Sequence, residues 1–126
     1  MSELGKLLFS KNHEWVRLDG VSARAGITDF AQEALGEVVF VQLPRVGEKV
    51  TCGQSVSEVE STKSVSDIYS PLNGTINAVN VELESEPSLL NSDPFGRGWI
   101  YELSVGADVE LGHLIDEDAY RRFVKE

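Results

Sequence analysis

A chain of 126 residues can bury about two-thirds of its unfolded surface, so one domain over residues 1–126 is expected to stand without disulfide or metal staples. Eleven Lys and Arg against twenty-one Asp and Glu give a formal charge of −10, which argues against nucleic acid or an anionic membrane as partner and in favour of basic protein surfaces. The single cysteine, Cys52, forbids an internal disulfide, and with only His13 and His113 beside it there is no metal-ligand spacing. No apolar run approaches the roughly 20 residues of a membrane helix, and Met1-Ser2-Glu3-Leu4 lacks a basic-then-apolar signal. The expected setting is a reducing, soluble compartment: the cytoplasm for a bacterial or archaeal chain, the mitochondrial matrix for a mature eukaryotic one.

Residues 1–8 read as a loose start. Glu14–Leu18 and Val21–Ile27 then alternate around Asp19-Gly20, a strong hairpin signal. Thr28 can cap a short helix, Asp29 suits its positive end, and Gly36 follows as the stop. Glu37–Leu43 is apolar at nearly every position, which predicts a strand covered on both faces, with Phe40 in the core beside Trp15 and Trp99; Pro44 ends it.

From Gly47 onward short strands recur between turn residues: Lys49–Val50, Ser55–Glu60, Val65–Tyr69, Gly74–Val81 and Trp99–Val105. That punctuation predicts a mainly β chain folded as a sandwich or barrel. Glu86–Leu90 suggests one short helical turn, and Asp93–Gly98 a tight loop. A C-terminal helix is expected over 116–125, with Arg121, Arg122 and Lys125 near its negative end and the aromatic face of Tyr120 and Phe123 docked on the β body.

The middle of the chain, Glu58–Pro71, reads as two short strands around a tip at Ser61-Thr62-Lys63-Ser64. Small polar neighbours leave the Lys63 ammonium accessible. A lone hairpin lysine is ordinarily a solvated charge, and the acids flanking it, Glu60 and Asp67, are either solubilising or an acidic surface offered to a partner. There is no Gly-rich phosphate loop, no Cys-x-x-Cys and no nucleophile paired with a base, so no catalytic residue is expected. A Schiff-base role for Lys63 would need a desolvated amine or a neighbouring cation; Glu60, Thr62, Ser64 and Asp67 supply neither.

The wider order of residues is more specific. His13-Glu14-Trp15, Gly26–Gly36 with Thr28-Asp29-Phe30 inside it, Leu43-Pro44, Glu60-Ser61-x-Lys63, Asp67, Ser70-Pro71, and Asn91 followed by Asp93–Gly98 and Trp99 together resemble the H proteins of the glycine cleavage system, from about Phe9 to Phe123. These lie within the biotinyl/lipoyl attachment superfamily. Biotin domains place methionine on both sides of the lysine, where this chain has Thr62 and Ser64. The resemblance implies a flattened β-barrel, or barrel-sandwich hybrid, with short helices. It implies lipoic acid held as an amide on Lys63 by a lipoate-attachment enzyme, Glu60 and Asp67 serving in recognition of the hairpin. The protein would then be a monomeric, non-catalytic carrier. A pyridoxal-phosphate glycine decarboxylase would load it with an aminomethyl group, a tetrahydrofolate-dependent aminomethyltransferase would unload it, and dihydrolipoyl dehydrogenase would reoxidise the dithiol. Lysine plus lipoate has roughly ten bonds from backbone to dithiolane, a reach on the order of 14 Å. By the same resemblance Glu14 is a candidate parking site for the loaded arm, against the plainer reading of an exposed acid at a strand start. Thr62, Ser64, Val65, Phe9 and Asn12, which precedes His13-Glu14, depart modestly from the family's commoner residues, and an H-like relative that only relays lipoyl groups would carry the same motif.

Overall fold

The computed structural model describes residues 7–106 and 108–125. Nine strands among them form two antiparallel sheets: β1 (Leu7–Phe9), β2 (Glu14–Asp19), β3 (Ser22–Ile27), β4 (Val38–Gln42), β5 (Lys49–Val50), β6 (Ser55–Ser61), β7 (Val65–Tyr69), β8 (Gly74–Val79) and β9 (Tyr101–Ser104). Six of them make one sheet in the order β1-β2-β3-β9-β8-β5, and three make the other, β4-β6-β7. The helices are α1 (Asp29–Leu35), α2 (Glu82–Ser85), α3 (Leu89–Ser92) and α4 (Glu117–Val124). The sheets share one core, with Val16, Ala25, Ile27 and Leu103 from the larger and Val41, Val59 and Ile68 from the smaller. No continuous ladder joins them among the described residues, so the expected barrel-sandwich hybrid is realised as two packed sheets.

Local chemistry explains the early elements. Asp19 pairs with Ser22, leaving Gly20-Val21 as a two-residue turn, and Gly20 takes a positive φ of 63° at the first turn position. The Thr28 hydroxyl accepts the Ala31 N–H at 3.1 Å and caps α1, with Asp29 in its first turn. Gly36 closes that helix at φ 87°, donating its N–H to the Gln32 carbonyl.

A second apolar cluster lies at one end of the molecule. Leu7, Phe9, Trp15 and Tyr120 are buried there, and the Phe9 and Tyr120 rings stack at 4.7 Å. The terminal helix α4 therefore docks through its aromatic face, as expected; Asp116 caps it by accepting the Ala119 N–H. Leu7 and Leu8, in the stretch expected to be loose, belong to β1 and pair with Arg17 and Val16 because this cluster gives Leu7 a place to bury. Residues 1–6 lie outside the described residues.

Three expectations need correction. Strand β4 is covered on one face only: Val38 and Val41 are buried, whereas Val39 and Phe40 are 49% and 51% exposed. It is an edge strand, and its register shifts between Val38 and Phe40 as in a β-bulge, which turns both side chains outward. Trp15 is core at 0% exposure, but Trp99 is half-buried, with the Arg24 guanidinium 4.3 Å from its ring. The single helical turn over 86–90 becomes two helices, α2 and α3, on either side of Glu86-Pro87-Ser88. The residue before proline is pushed out of the helical region, and Glu86 sits at φ −133°, ψ 67°.

Gly26 is held by close packing. A Cβ there would come within 2.8 Å of Nε1 of Trp15, which donates to the Pro94 carbonyl at 2.9 Å. Gly26→Ala is expected to lower stability by about 1–3 kcal/mol, the usual cost of overpacking, read as a lower urea midpoint with unchanged slope.

Candidate functional site

The site is the β6–β7 hairpin and what supports it. Register runs Ser57↔Ile68, Glu58↔Asp67, Val59↔Ser66 and Glu60↔Val65, so Ser61–Ser64 is the turn. The Ser61 N–H donates to the Ser64 carbonyl at 2.8 Å, and the Ser61 hydroxyl accepts the N–H groups of Lys63 and Ser64 at 3.3 and 3.1 Å. Neither Thr62 nor Lys63 has a positive φ, which excludes the primed turns and accounts for the absence of Asn-Gly at this tip.

A backbone bond from below fixes the tip: the Thr62 N–H donates to the Glu37 carbonyl at 2.9 Å, tying the turn to the link between α1 and β4. Lys63 is exposed, and its stem passes over Gly36. A Cβ at Gly36 would lie 3.2 Å from Cε of Lys63, 3.7 Å from Cδ and 3.9 Å from Cγ. Glycine is thus favoured twice at this position, for its positive φ and for the room it leaves the stem.

The platform under Lys63 is held by a residue to which sequence reasoning gave no role of its own. Asn91 Oδ1 accepts the Val38 N–H at 2.9 Å, while Nδ2 donates to the Gly36 carbonyl at 2.8 Å and to Gln32 Oε1 at 2.9 Å. One amide therefore fastens α3 to the end of α1 and the start of β4. Its place in the Asn91 to Trp99 motif was the only signal. A groove of about 530 Å³ opens between α1 and α3, lined by Gln32, Gly36, Glu37, Ser88 and Asn91.

The four sequence-predicted residues fall into two places. Lys63 and Glu60 are at the tip, and Asp67 lies on the same outer face further along β7, accepting from the Ser55 hydroxyl at 3.4 Å. Glu14 is elsewhere and is not an exposed acid: it is 2% exposed. Its Oε1 accepts the Ser10 hydroxyl at 2.8 Å and its Oε2 the Tyr69 N–H at 3.1 Å. Burial pushes the Glu14 carboxyl up to about 7, against the pull of those two hydrogen bonds. Just before it, His13 takes a positive φ of 68° and its Nδ1 meets the Tyr120 hydroxyl at 2.8 Å, while the Thr28 hydroxyl meets the same oxygen at 2.7 Å.

Distance along β7 bounds how far these acids lie from the tip. At about 3.3 Å per residue, Asp67 is at most about 13 Å from the Lys63 backbone and Tyr69, the residue Glu14 holds, at most about 20 Å. Among the described residues no group of three or more His, Cys, Asp or Glu could hold a metal, and no helix is long and apolar enough to cross a membrane.

An exposed lysine on a pinned hairpin tip, carried by two packed sheets and set over a glycine, defines a lysine-presenting β domain. A family model described as glycine cleavage H-protein matches residues 7–126. The chain is 53% identical over 125 residues to the glycine cleavage system H protein of Mycobacterium avium (strain 104), covering 95% of each chain. It is also 53% identical over 116 residues to that of Micrococcus luteus, covering 90% of this chain and 91% of the other. The crystal structure of a glycine cleavage system H protein from Mycobacterium marinum superposes with a TM-score of 0.87 at 40% identity, covering 97% of this chain and 98% of that one. The chain belongs to the glycine cleavage H-protein family.

Proposed function

We propose that residues 1–126 form a single lipoyl-carrier domain, in which Lys63 is joined by an amide to lipoic acid and carries the aminomethyl group of glycine between the enzymes of the glycine cleavage system. The observation that carries this reading is the Lys63 tip itself, exposed, pinned through Thr62 and Ser61, and given room by Gly36. Such a setting fits a long unbranched acyl arm. Lys11 also stands on a hairpin turn, between β1 and β2, but its ammonium lies 5.7 Å from the centre of the Phe123 ring; Lys49 lies within β5, Lys125 follows α4, and Lys6 lies outside the described residues.

Each residue has a limited task. Lys63 offers its amine for acylation and thereafter anchors the arm. Ser61 and the Glu37 carbonyl hold the tip, and Asn91 holds the Glu37 segment. Glu60 and Asp67 offer carboxylates to the lipoate-attachment enzyme and to the partner enzymes. Glu14, buried and bonded to the Tyr69 N–H further along β7, is the acid toward which an aminomethyl cargo projecting from the arm would point. When bound, the lipoyl group supplies a disulfide that accepts the one-carbon unit and reducing equivalents. Catalysis belongs to glycine decarboxylase, the aminomethyltransferase and dihydrolipoyl dehydrogenase; this chain serves them as a monomeric carrier in a soluble, reducing compartment.

The test is intact mass and peptide mapping of protein from its native source. A single lipoyl adduct on Lys63 is expected, and an adduct on another lysine, or none in cells that cleave glycine, refutes the reading. Acylation also removes one positive charge, taking the formal total from −10 to −11. The modified form is expected to run faster toward the anode on a native gel; comigration of two forms already distinguished by mass would count against it.

A further inference from the structure

The outer face of the β4-β6-β7 sheet exposes apolar groups that holding up a lysine does not require. Register sets Phe40, Glu60 and Val65 in one row beside the tip, with Gln42, Glu58 and Asp67 in the next. Phe40 is 51% exposed and Val65 60%. Strict alternation from buried Val41 would turn Val39 inward; the register shift between Val38 and Phe40 instead gives the outer side two consecutive large residues. Bulges commonly re-aim side chains next to working sites, and this one lies one row from the turn that carries Lys63.

The charge on this face is one-sided. Glu58, Glu60 and Asp67 form no ion pair among the described residues, and Glu58 stands directly opposite Asp67, an arrangement of like charges that weakens a sheet. Arg45 lines the cavity of about 650 Å³ alongside Glu58 and Asp67, yet bridges to neither.

We propose that Val39, Phe40 and Val65, arranged around Glu60, form the docking surface for the enzyme that acylates Lys63, a partner presenting an apolar pocket rimmed by Arg or Lys. The proposal rests on the carrier reading above and adds to it the grip. A central aromatic anchor supplies affinity by leaving water, while the carboxylates around it raise the encounter rate and reject wrong partners. A second copy of this chain does not fit the face, because it would bring the same three carboxylates from a body that also carries −10. The Glu60↔Val65 pair is the first beyond the turn, so a partner holding this row also fixes the lysine in front of its own active site.

Phe40→Ser, Val65→Ser and the double variant alter exposed side chains, and their folding is checked by circular dichroism and urea midpoint. Acylation of Lys63 is then followed by intact mass with a purified lipoate-attachment enzyme, lipoic acid and ATP. In the double variant the KM for the carrier is expected to rise roughly tenfold or more with little change in kcat, and its salt dependence is retained. In Glu60→Gln the salt dependence weakens instead. An unchanged KM in a folded double variant overturns the docking surface, whereas failure of the wild type to be acylated overturns the carrier reading. Concentration-dependent dimerisation of the wild type in sedimentation, abolished by the double variant, would assign the face to self-contact and overturn the proposal as well.

Discussion

Replacing Lys63 by arginine is expected to abolish acylation and carrier activity together while leaving stability within about 0.5 kcal/mol of wild type, the usual range for an exposed position. The hydrogen bonds of the tip use the backbone of Lys63 and the side chain of Ser61, and none uses the ammonium. Arginine keeps the charge and the aliphatic stem that crosses Gly36, but its guanidinium stays protonated and is not an acyl acceptor. Intact mass reports the loss of the arm, urea denaturation reports the fold, and a reconstituted glycine cleavage assay reports function. Residual activity, or a variant that unfolds, would remove Lys63 from the centre of the mechanism.

The second large effect belongs to Glu14. Its carboxyl is raised from 4.5 to about 7 in the folded protein, so the native state holds this proton more tightly than the unfolded chain does. Below about pH 4.5 both states are protonated and nothing is lost. As pH rises from 4.5 through 7 the unfolded chain releases the proton first, and the wild type is expected to lose about 3 kcal/mol by roughly pH 8, where both states are ionised and no further change follows. Glu14→Gln keeps an acceptor for the Tyr69 N–H and a partner for the Ser10 hydroxyl but cannot titrate. The stability difference between the two proteins should therefore shift by about 3 kcal/mol in favour of the variant between pH 4 and pH 8; parallel pH profiles would show that Glu14 is not held protonated.

The same substitution tests cargo protection. A cationic amine brought near Glu14 draws the carboxyl back to its ionised form, and the carboxylate in turn keeps the amine protonated. That suppresses the neutral amine whose lone pair can expel the sulfur. Protein loaded from labelled glycine and freed of the decarboxylase is expected to lose label faster in Glu14→Gln, most visibly near neutral pH. Equal release rates would assign protection to another part of the molecule.

What could be read from the sequence was local. The strands either side of Lys63, the Thr28 cap, the Gly36 stop and the Asp19-Gly20 hairpin each depend on residues a few positions apart, and period and turn chemistry suffice for them. The outward turn of Val39 beside Phe40 could not be read, because it comes from a register shift against β6 on an edge strand. Nor could the burial of Glu14, whose acceptors are satisfied by Ser10 four residues away and Tyr69 fifty-five away. Asn91 looks like a loop residue until its amide is seen fastening Gly36 and Val38. In each case the missing information is a long-range contact, invisible to propensity.

The contrast between a local hairpin and a distant support bears on how the protein folds. The β6–β7 turn joins neighbours in sequence and can close within microseconds. The pairing of Ala25 with Tyr101, the bond from Asn91 to Gly36 and that from Tyr69 to Glu14 each close a loop of more than fifty residues, and such loops are slow because their entropy is lost before their contacts form. A newly unfolded chain thus displays a lysine on a turn long before that turn rests on anything. An enzyme that reads only the turn would acylate immature chains, whereas one that also requires the seat beneath it acts as a checkpoint on completed folding.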